Sequence, residues 1–299
     1  MRGNGHQPSA DPPAAANPDA SRAATAGARR KTPWPLVVVA LLFVIVPFLS
    51  WYGTTFLRPL DDEKIGEYLN DREKPRRVQH ALEQIDKRIE AGDAGVGKWY
   101  PQIVALAAHP AADVRMTAAW VMGDDNKSED FHAALKNLLN DSEPAVRRMA
   151  ALSLSRFNDA SGRAELVSML RPHSVKLSQA GTLLTVLPVN SSVTREAMLA
   201  RMRDEQGTVQ EVRAPVAGKI ERVSVTDGAS VAAGAELIVL APDSKNAWEA
   251  LRALYLVGAA EDLPEIERYA RGEVAGMSEE IKKQAALTAE AIKSRAAGK

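Results

Sequence analysis

The chain has 299 residues with 38 basic and 38 acidic side chains, so its formal net charge is zero. A neutral chain lacks the basic footprint of a nucleic-acid-binding protein, and we therefore expect no nucleic-acid partner. The absence of cysteine excludes disulfides, thiolate nucleophiles and thiolate metal ligands. A hydrophobic fraction of 45% is ordinary for a folded protein, so the chain can bury a core.

The chain before Arg58 divides into a polar tail and an apolar segment. Residues 1–33 are rich in Ala, Pro and Gly and have almost no large apolar side chains, which predicts a disordered tail. No charged residue occurs from Thr32 to Leu57, and Trp34 and Trp51 lie near the two ends of the apolar segment. A run of this length and composition predicts one transmembrane helix at residues 34–57.

Charges beside the apolar segment predict its orientation. Arg22, Arg29, Arg30 and Lys31 precede it, whereas the acidic stretch Asp61–Glu63 follows it closely. Because basic flanks favour the cytoplasmic side, we expect a cytoplasmic tail and residues 58–299 beyond the membrane. A cleaved signal peptide is the weaker alternative, since no A-x-A-like site follows the apolar run. The predicted location is a bacterial inner membrane, crossed once, with a periplasmic main domain.

A repeat with a period of about 32 residues appears in the middle of the chain. Val114-Arg115 recurs as Val146-Arg147, and the alanine pair Ala118-Ala119 recurs as Ala150-Ala151. Each unit is predicted to contain an apolar first helix, a short polar turn and an Ala-rich second helix. Units of this kind bury their faces against their neighbours rather than alone. The sequence therefore predicts a stack of paired helices.

Two weaker units are expected to follow, and the second of them is interrupted. The third unit is predicted at "AELVSMLRPHSVKLSQAGTLLTVL", and the fourth begins with "TREAMLARMRD". Its second helix is expected only at "EALRALYLVG", after the glycine-punctuated residues 207–245. We therefore predict helical repeats over residues 58–206 and 246–299, with a β module inserted into the turn of one repeat.

The D-V-R and A-V-R openings of Ala-rich second helices resemble HEAT repeats, including the bacterial HEAT-like kind. This resemblance implies an α-solenoid that holds protein partners. Arg115, Arg147 and Lys176 recur at the expected starts of second helices, where they either form a ladder for an acidic partner or pair with turn carboxylates. Aromatic side chains at the expected repeat junctions are predicted to be core: Trp99, Trp120, Trp248 and Tyr255.

The inserted stretch "VRAPVAGKIERVSVTDGASVAAGAELIVLAPD" combines short apolar alternations with glycines at tight turns. It resembles the biotinyl/lipoyl family, and more closely one half of that domain in HlyD-type membrane fusion proteins. The resemblance implies a half barrel-sandwich whose strand edges are covered by a second copy in a homo-oligomer, by neighbouring helices or by another protein. Candidate partner-binding residues in it are Val212, Pro215, Gly218, Gly228 and Gly234.

No motif predicts a catalytic residue, a metal site or a cofactor. Biotinyl and lipoyl carriers present a lysine on a hairpin between their two halves, within sequences such as M-K-M, which this chain lacks; only Lys245 lies nearby. The predicted fold is mainly α with a small all-β insertion. The predicted function is a membrane-anchored, non-catalytic scaffold or adaptor, accessory to transport or envelope assembly. The alternatives are a carrier modified at Lys245 and a HEAT enzyme resembling bilin lyases.

Overall fold

The computed structural model describes residues 60–298, together with residues 38–39 and 41–47. Those two short stretches belong to the predicted span 34–57 and are helical. The rest of the predicted span and the predicted tail 1–33 lie outside the described residues. Within the described part, no helix combines the length and the apolar character needed to cross a membrane. The chain from Pro59 onward forms one compact unit.

Ten helices in residues 60–298 follow one another as five pairs. The pairs are α1 (Asp62–Leu69) with α2 (Pro75–Glu90), α3 (Tyr100–Ala105) with α4 (Ala112–Asp124), α5 (Glu129–Leu138) with α6 (Pro144–Arg156), α7 (Arg163–Ser168) with α8 (Ser244–Val257), and α9 (Leu263–Ala270) with α10 (Glu279–Ala297). Short 3₁₀ turns at Ala94–Trp99, Leu106–Ala108, Ala160–Gly162 and Ala260–Asp262 flank several of the first helices. The second helices α2, α4, α6, α8 and α10 pack side by side in one continuous row.

Small and hydroxyl side chains allow neighbouring second helices to approach closely. The Ser153 hydroxyl of α6 donates to the Ala119 carbonyl of α4 at 2.8 Å, and a Cβ added at Gly123 would lie 2.5 Å from the Ser153 hydroxyl oxygen. The same device recurs later, because the buried Thr288 hydroxyl of α10 donates to the Leu251 carbonyl of α8 at 2.9 Å. Each hydroxyl is thereby satisfied inside the core, which a buried polar group requires.

Eight strands lie between α7 and α8. They are β1 (His173–Lys176), β2 (Gly181–Val186), β3 (Ser192–Val193), β4 (Met198–Asp204), β5 (Val209–Arg213), β6 (Gly218–Val223), β7 (Ser230–Val231) and β8 (Glu236–Pro242). They form two antiparallel sheets of four strands, in the orders β1-β8-β6-β3 and β5-β4-β2-β7. If each strand of β1–β4 is replaced in these orders by the corresponding strand of β5–β8, and the reverse, one sheet order becomes the other. The module therefore consists of two similar halves, β1–β4 and β5–β8.

Hydrogen bonds between the halves repeat the same exchange. The Asn190 N–H donates to the Ile220 carbonyl at 2.8 Å, and the Gly228 N–H donates to the Leu183 carbonyl at 2.8 Å. The prediction that the inserted module is only one half of a two-half unit is therefore wrong, because the described chain forms eight strands in two similar halves. Completion by a second copy, the reason for expecting a homo-oligomer, is not required.

The module is also longer and lies one repeat earlier than predicted. Residues 181–206, expected to be helical, contain β2, β3 and β4, and the insertion runs from His173 to Pro242 rather than over residues 207–245. Without the module, the residues from the second helix α4 to the second helix α8 hold two repeat periods of about 32 residues. The shorter predicted insert would leave three periods there. The prediction that a β module interrupts one repeat between its two helices is nevertheless confirmed.

The module has a core of its own. Fourteen buried residues between Val175 and Leu240 form one apolar cluster. A second cluster joins Ala151 and Leu166, before the module, to Leu251 and Ala285 after it. The solenoid core is therefore continuous across the insertion. Asp243 restarts the helical chain at once, because its carboxylate accepts the Lys245 and Asn246 N–H groups at 3.0 and 3.1 Å and caps α8.

Candidate functional site

Exposed large apolar side chains of the solenoid concentrate on the row of second helices. Among residues 60–172 and 243–298, those exposed are Trp120 on α4 (47%), Tyr255 and Leu256 on α8 (44% and 47%) and Leu287 on α10 (57%). The prediction that Trp120 and Tyr255 are core is therefore wrong, whereas Trp99 is buried as expected. Single exposed apolar residues are common, but Tyr255, Leu256 and Leu287 lie on the neighbouring helices α8 and α10, where together they can form a surface that binds a partner.

A groove of about 440 Å³ runs along this row, which we call the second-helix groove. Leu152 and Arg156 of α6, Arg252, Tyr255 and Leu256 of α8, and Gln284 and Leu287 of α10 line it. Arg295 of α10 donates to the Tyr255 carbonyl at 2.6 Å and to the Gly258 carbonyl at 3.0 Å. These bonds satisfy carbonyls that the end of α8 leaves without an intrahelical partner. They also connect α10 to the end of α8, the two helices that supply Leu287 and Leu256 to the groove.

A pair of carboxyl groups lies between α2 and α4, close to the groove. Burial raises the pKa of Asp86 to about 7, and the facing Asp124 carboxyl group adds to the rise, while the Trp120 indole N–H opposes it. Asp124 pairs on its other side with Arg156, which lines the groove. Asp86 therefore keeps its proton to a higher pH than an isolated aspartate does. The local charge next to the groove therefore changes near neutral pH.

Arg115 and Arg147 have carboxylate partners within the solenoid. Arg115 forms a two-point contact with Asp141, at 2.6 Å from Nε to Oδ2 and 2.8 Å from Nη2 to Oδ1. Arg147 donates to the Asp141 carbonyl at 2.8 Å and lies 3.3 Å from the Glu165 carboxylate. Both side chains are largely buried. Two roles were expected for these arginines, a ladder for an acidic partner or pairing with carboxylates of the turns. The structure shows both arginines paired with carboxylates.

The other candidate residues lie in the β module. Lys176 is exposed on β1 and does not open a second helix, which corrects the expected register. Gly228 and Gly234 have φ values of +81° and occupy turns, and a Cβ added at Gly218 would lie 2.6 Å from the Ala241 carbonyl oxygen. Val212 is half-buried on β5, and Pro215 lies in the turn after it. These residues shape the module, and the structure does not gather them into one site.

Lys245 is separate from the junction between the two halves of the module. That junction is the β4–β5 hairpin, where Asp204 accepts the Gln206 and Thr208 N–H groups at 3.0 and 2.8 Å and no lysine occurs between the strands. Lys245 lies beyond β8, exposed in the first turn of α8. It therefore does not occupy the hairpin position at which a carrier would present its lysine.

Sequence reasoning missed Leu256 and Leu287 as surface residues. The core face of α8 is already filled by Ala250, Leu251, Leu254 and Val257, which follow the helical spacing of a buried stripe. Tyr255 and Leu256 fall outside that stripe. The sequence signal for an exposed apolar surface was therefore that this helix has more apolar residues than one buried face can hold.

Comparison with known proteins supports the solenoid. The family of HEAT repeats matches residues 100–181, which include α3 to α7 and extend through β1. No curated protein matches the chain. Among solved structures, a single-chain, multi-domain long-chain acyl-CoA carboxylase is similar at 25% identity over 33% of this chain, with a TM-score of 0.23. The matched part covers 9% of the carboxylase chain, and a similarity this low carries no argument. The HEAT-repeat match and the row of paired helices together support a HEAT-repeat protein.

Proposed function

We propose that the chain is a non-catalytic scaffold that holds a protein partner in the second-helix groove. The observation that carries the proposal is the placement of the exposed apolar side chains. All four exposed large apolar residues of the described solenoid lie on second helices, and three of them line the groove. Aromatic and aliphatic anchors surrounded by polar groups are typical of protein-binding surfaces.

The partner segment is expected to be apolar on one side and polar at its rim. Leu152, Leu256 and Leu287 supply apolar contacts, while Glu249 and Arg252 offer charges of opposite sign. A groove of this composition suits an amphipathic segment, which lays its apolar side chains between the helices. HEAT repeats often mediate protein interactions, and the proposal applies that use to this surface.

The β module is proposed to be biotinyl/lipoyl-like and to act as an adaptor without a carried group. The support is its arrangement of two exchangeable four-stranded halves and the sequence resemblance of residues 212–243. A carrier role is not proposed, because the hairpin between the halves has no lysine. No catalytic motif in the sequence supports the alternative of an enzyme resembling bilin lyases. The intact mass of the purified chain tests the carrier alternative directly.

The proposed location remains the extracytoplasmic face of a bacterial inner membrane. It depends on the uncharged stretch from Thr32 to Leu57 and on the basic residues before it. A scaffold placed there would serve transport or envelope assembly. Labelling of the C-terminus from outside the inner membrane tests this arrangement, since a cytoplasmic C-terminus would contradict it.

The binding proposal is tested by photo-crosslinking in intact cells. A photoreactive residue is placed at Leu256 or Leu287 in the groove, or at the exposed Asn137 on the first helix α5 as a matched control. The expected result is a crosslink to the same protein from both groove positions and not from Asn137. The double substitution Leu256→Glu and Leu287→Glu is expected to weaken co-purification of that protein about tenfold or more, because hot-spot side chains dominate binding.

The substitutions should leave the fold intact, because both side chains are exposed. A thermal unfolding midpoint matching the wild-type chain verifies this. Unchanged recovery of the partner by the double variant, or crosslinking equal to that from Asn137, would contradict the proposal.

A further inference from the structure

The outer face of the sheet β5-β4-β2-β7 carries a basic surface on the inner strand β4. Ala200 and Met202 of this strand are buried in the module core, whereas Arg201 and Arg203 alternate with them and are exposed. Side chains of a strand point alternately to opposite faces, so both guanidinium groups lie on the outer face. A strand rises about 3.3 Å per residue, which places the two arginines about 7 Å apart.

The neighbours of Arg203 across the sheet carry no charge. Arg203 lies opposite Thr182 of β2 and Val209 of β5. The carboxylate of the next residue, Asp204, is occupied by three hydrogen bonds within the β4–β5 hairpin, at 2.8 to 3.0 Å. No carboxylate of the described chain lies within 4.0 Å of the Arg203 guanidinium group. This charge is therefore available to a carboxylate from outside.

Arg201 has one acidic neighbour across the sheet, and that neighbour is already paired. Arg201 lies opposite Thr185 of β2 and Glu211 of β5. The Glu211 carboxylate accepts a hydrogen bond from Arg213, on its own strand, at 2.5 Å. Within residues 60–298, no carboxylate is closer than 4.0 Å to the Arg201 guanidinium group. Three arginines on this face thus have one carboxylate between them, and the face carries an excess of positive charge.

Hydroxyl groups extend the same face beyond the arginines. Thr182 and Thr185 of β2 are exposed, and Thr182 lies opposite the exposed Ser230 of β7. Hydroxyl and guanidinium groups both donate hydrogen bonds to carboxylates, and a guanidinium group does so at two points. The face therefore matches a carboxylate-bearing partner in charge and in hydrogen bonding.

We propose that this face binds an extended acidic segment of a partner protein. Alternate side chains of an extended segment point to one side about 7 Å apart, so carboxylates two residues apart match the spacing of Arg201 and Arg203. Exposed ion pairs are individually weak, so both carboxylates are needed and binding depends on salt. The inference rests on the proposed adaptor role of the β module and gives that role a class of partner. It does not involve the second-helix groove, so either proposal can fail alone.

The test is titration of the purified full chain into a fluorescent heptapeptide of sequence TDTDTDT, followed by anisotropy at low ionic strength. One control peptide, TNTNTNT, has no carboxylate. The other, TDDTTTD, has the same composition but no two aspartates two residues apart. The expected result is saturable binding of TDTDTDT, with about tenfold weaker binding of both controls and loss of binding at high salt.

The double substitution Arg201→Gln and Arg203→Gln is expected to weaken binding of TDTDTDT about tenfold, because both ion pairs are removed. The matched control combines Lys176→Gln and Lys219→Gln, which remove the same two charges from exposed positions on the other sheet. The control should bind like the wild type. All four side chains are exposed, so both double variants should unfold at the wild-type midpoint.

Equal weakening by the two double variants would show that only overall charge matters and would overturn the proposal. Equal binding of TDTDTDT and TDDTTTD, or no saturable binding, would overturn it as well. The arginine double variant should keep the crosslink from Leu256, because the groove is separate. A failed titration with that crosslink retained contradicts the arginine surface alone, whereas a missing crosslink in the wild type contradicts the groove.

Discussion

At the scale of single residues, Asp86 shows how a side chain on one second helix depends on its neighbour. The carboxyl group is pressed against Asp124, and Glu90 on its own helix adds further negative charge. Arg156 of α6 forms an ion pair with Asp124. The buried Oδ1 of Asp86, in contrast, has no hydrogen-bond partner among the described residues. Because burial and the neighbouring negative charges raise the pKa of Asp86, this carboxyl group keeps its proton to near neutral pH, which removes its repulsion from Asp124. Because Asp86 lies between α2 and α4, its protonation affects the folding of the row.

We predict that Asp86→Asn changes the pH dependence of stability. The folded-state pKa of about 7 exceeds the ordinary value of 3.8, so the unfolded chain loses this proton first as the pH rises. The free energy of unfolding of the wild type should therefore fall between about pH 4 and pH 7, by about 1 to 2 kcal/mol after solvent screening. Asp86→Asn removes this fall and should be the more stable chain at about pH 8.

Urea unfolding followed by circular dichroism at acidic and alkaline pH measures this difference. Glu83→Gln on the exposed face of α2 is the matched control and should follow the wild type. Parallel pH profiles for the wild type and Asp86→Asn would show that the pKa of Asp86 is not raised in the folded chain.

Two glycines at equivalent places in the two halves of the module have a second residue-scale consequence. A Cβ added at Gly181 would lie 2.3 Å from the Arg203 carbonyl oxygen, and one added at Gly218 would lie 2.6 Å from the Ala241 carbonyl oxygen. Gly181→Ala and Gly218→Ala should each lower the free energy of unfolding by about 1 to 3 kcal/mol, because backbone must move. Gly66→Ala is the control: its site is open within α1, so it should stabilise the helix by about 0.5 to 1 kcal/mol.

Chemical denaturation of the three variants provides the comparison. A neutral effect at Gly218 with a large effect at Gly181 would show that the two halves are not built alike.

At the scale of elements, the second half of the module was predictable and the first half was not. Gly228 and Gly234 mark two turns with positive φ in the second half. The equivalent turns of the first half use Asn190 and Glu196, whose φ values are +73° and +65°. Asn tolerates this conformation, but Glu does so rarely, so the usual turn signal was absent. "EAMLARMR" also consists of strong helix formers, and pairing of β4 with β2 and β5 overrides that preference.

The repeat arrangement itself followed from the sequence because its signals are local. The recurrence of Val114-Arg115 as Val146-Arg147 predicts the positions of α4 and α6 correctly. The exposed apolar surface could not be predicted from the sequence. Whether a side chain such as Trp120 is buried depends on which helices flank its own helix α4. Local pattern thus predicts the elements, while their exposed faces depend on tertiary packing.

The contact between Arg115 and Asp141 joins consecutive repeats, and we predict that it contributes to the stability of the row. Arg115→Gln should lower the free energy of unfolding by about 3 kcal/mol, because it leaves Asp141 buried without its partner. The hydrogen bond from Arg115 lowers the pKa of Asp141. The stabilisation is therefore present above the ordinary pKa of Asp141 and is lost as the pH falls through its lowered folded value.

Denaturant titrations near pH 7 and at acidic pH measure both effects. Arg115→Gln should lose less stability than the wild type on acidification. Arg252→Gln, at an exposed position of α8, is the matched control. A double variant that also carries Asp141→Asn should recover part of the loss; no recovery would argue that Arg115 acts through packing alone.

At the scale of the whole molecule, the β module is an insertion that leaves the helical stack closed beneath it. His173 and Leu240 are paired across β1 and β8, so the chain enters and leaves the module at neighbouring points. Helices α7 and α8 contact each other directly, and one apolar cluster extends across both sides of the insertion. The pair formed by Arg195 in the β3–β4 loop and Asp113 on α4 is a further link, and both partners are partly exposed.

We predict that replacing residues 173–242 by a flexible linker of about four residues leaves the solenoid folded, because such a linker spans the short gap at little entropic cost. Losing the Arg195–Asp113 pair should cost little, since exposed ion pairs contribute about 0 to 1 kcal/mol.

The module expressed alone should fold as well, because its apolar cluster contains no solenoid residue. Circular dichroism should give a helical spectrum for the first product and a β spectrum for the second, each with cooperative unfolding. If the shortened chain unfolded, the module would be an integral part of the stack. If it folds and still crosslinks through Leu256, the groove binds its partner without the module.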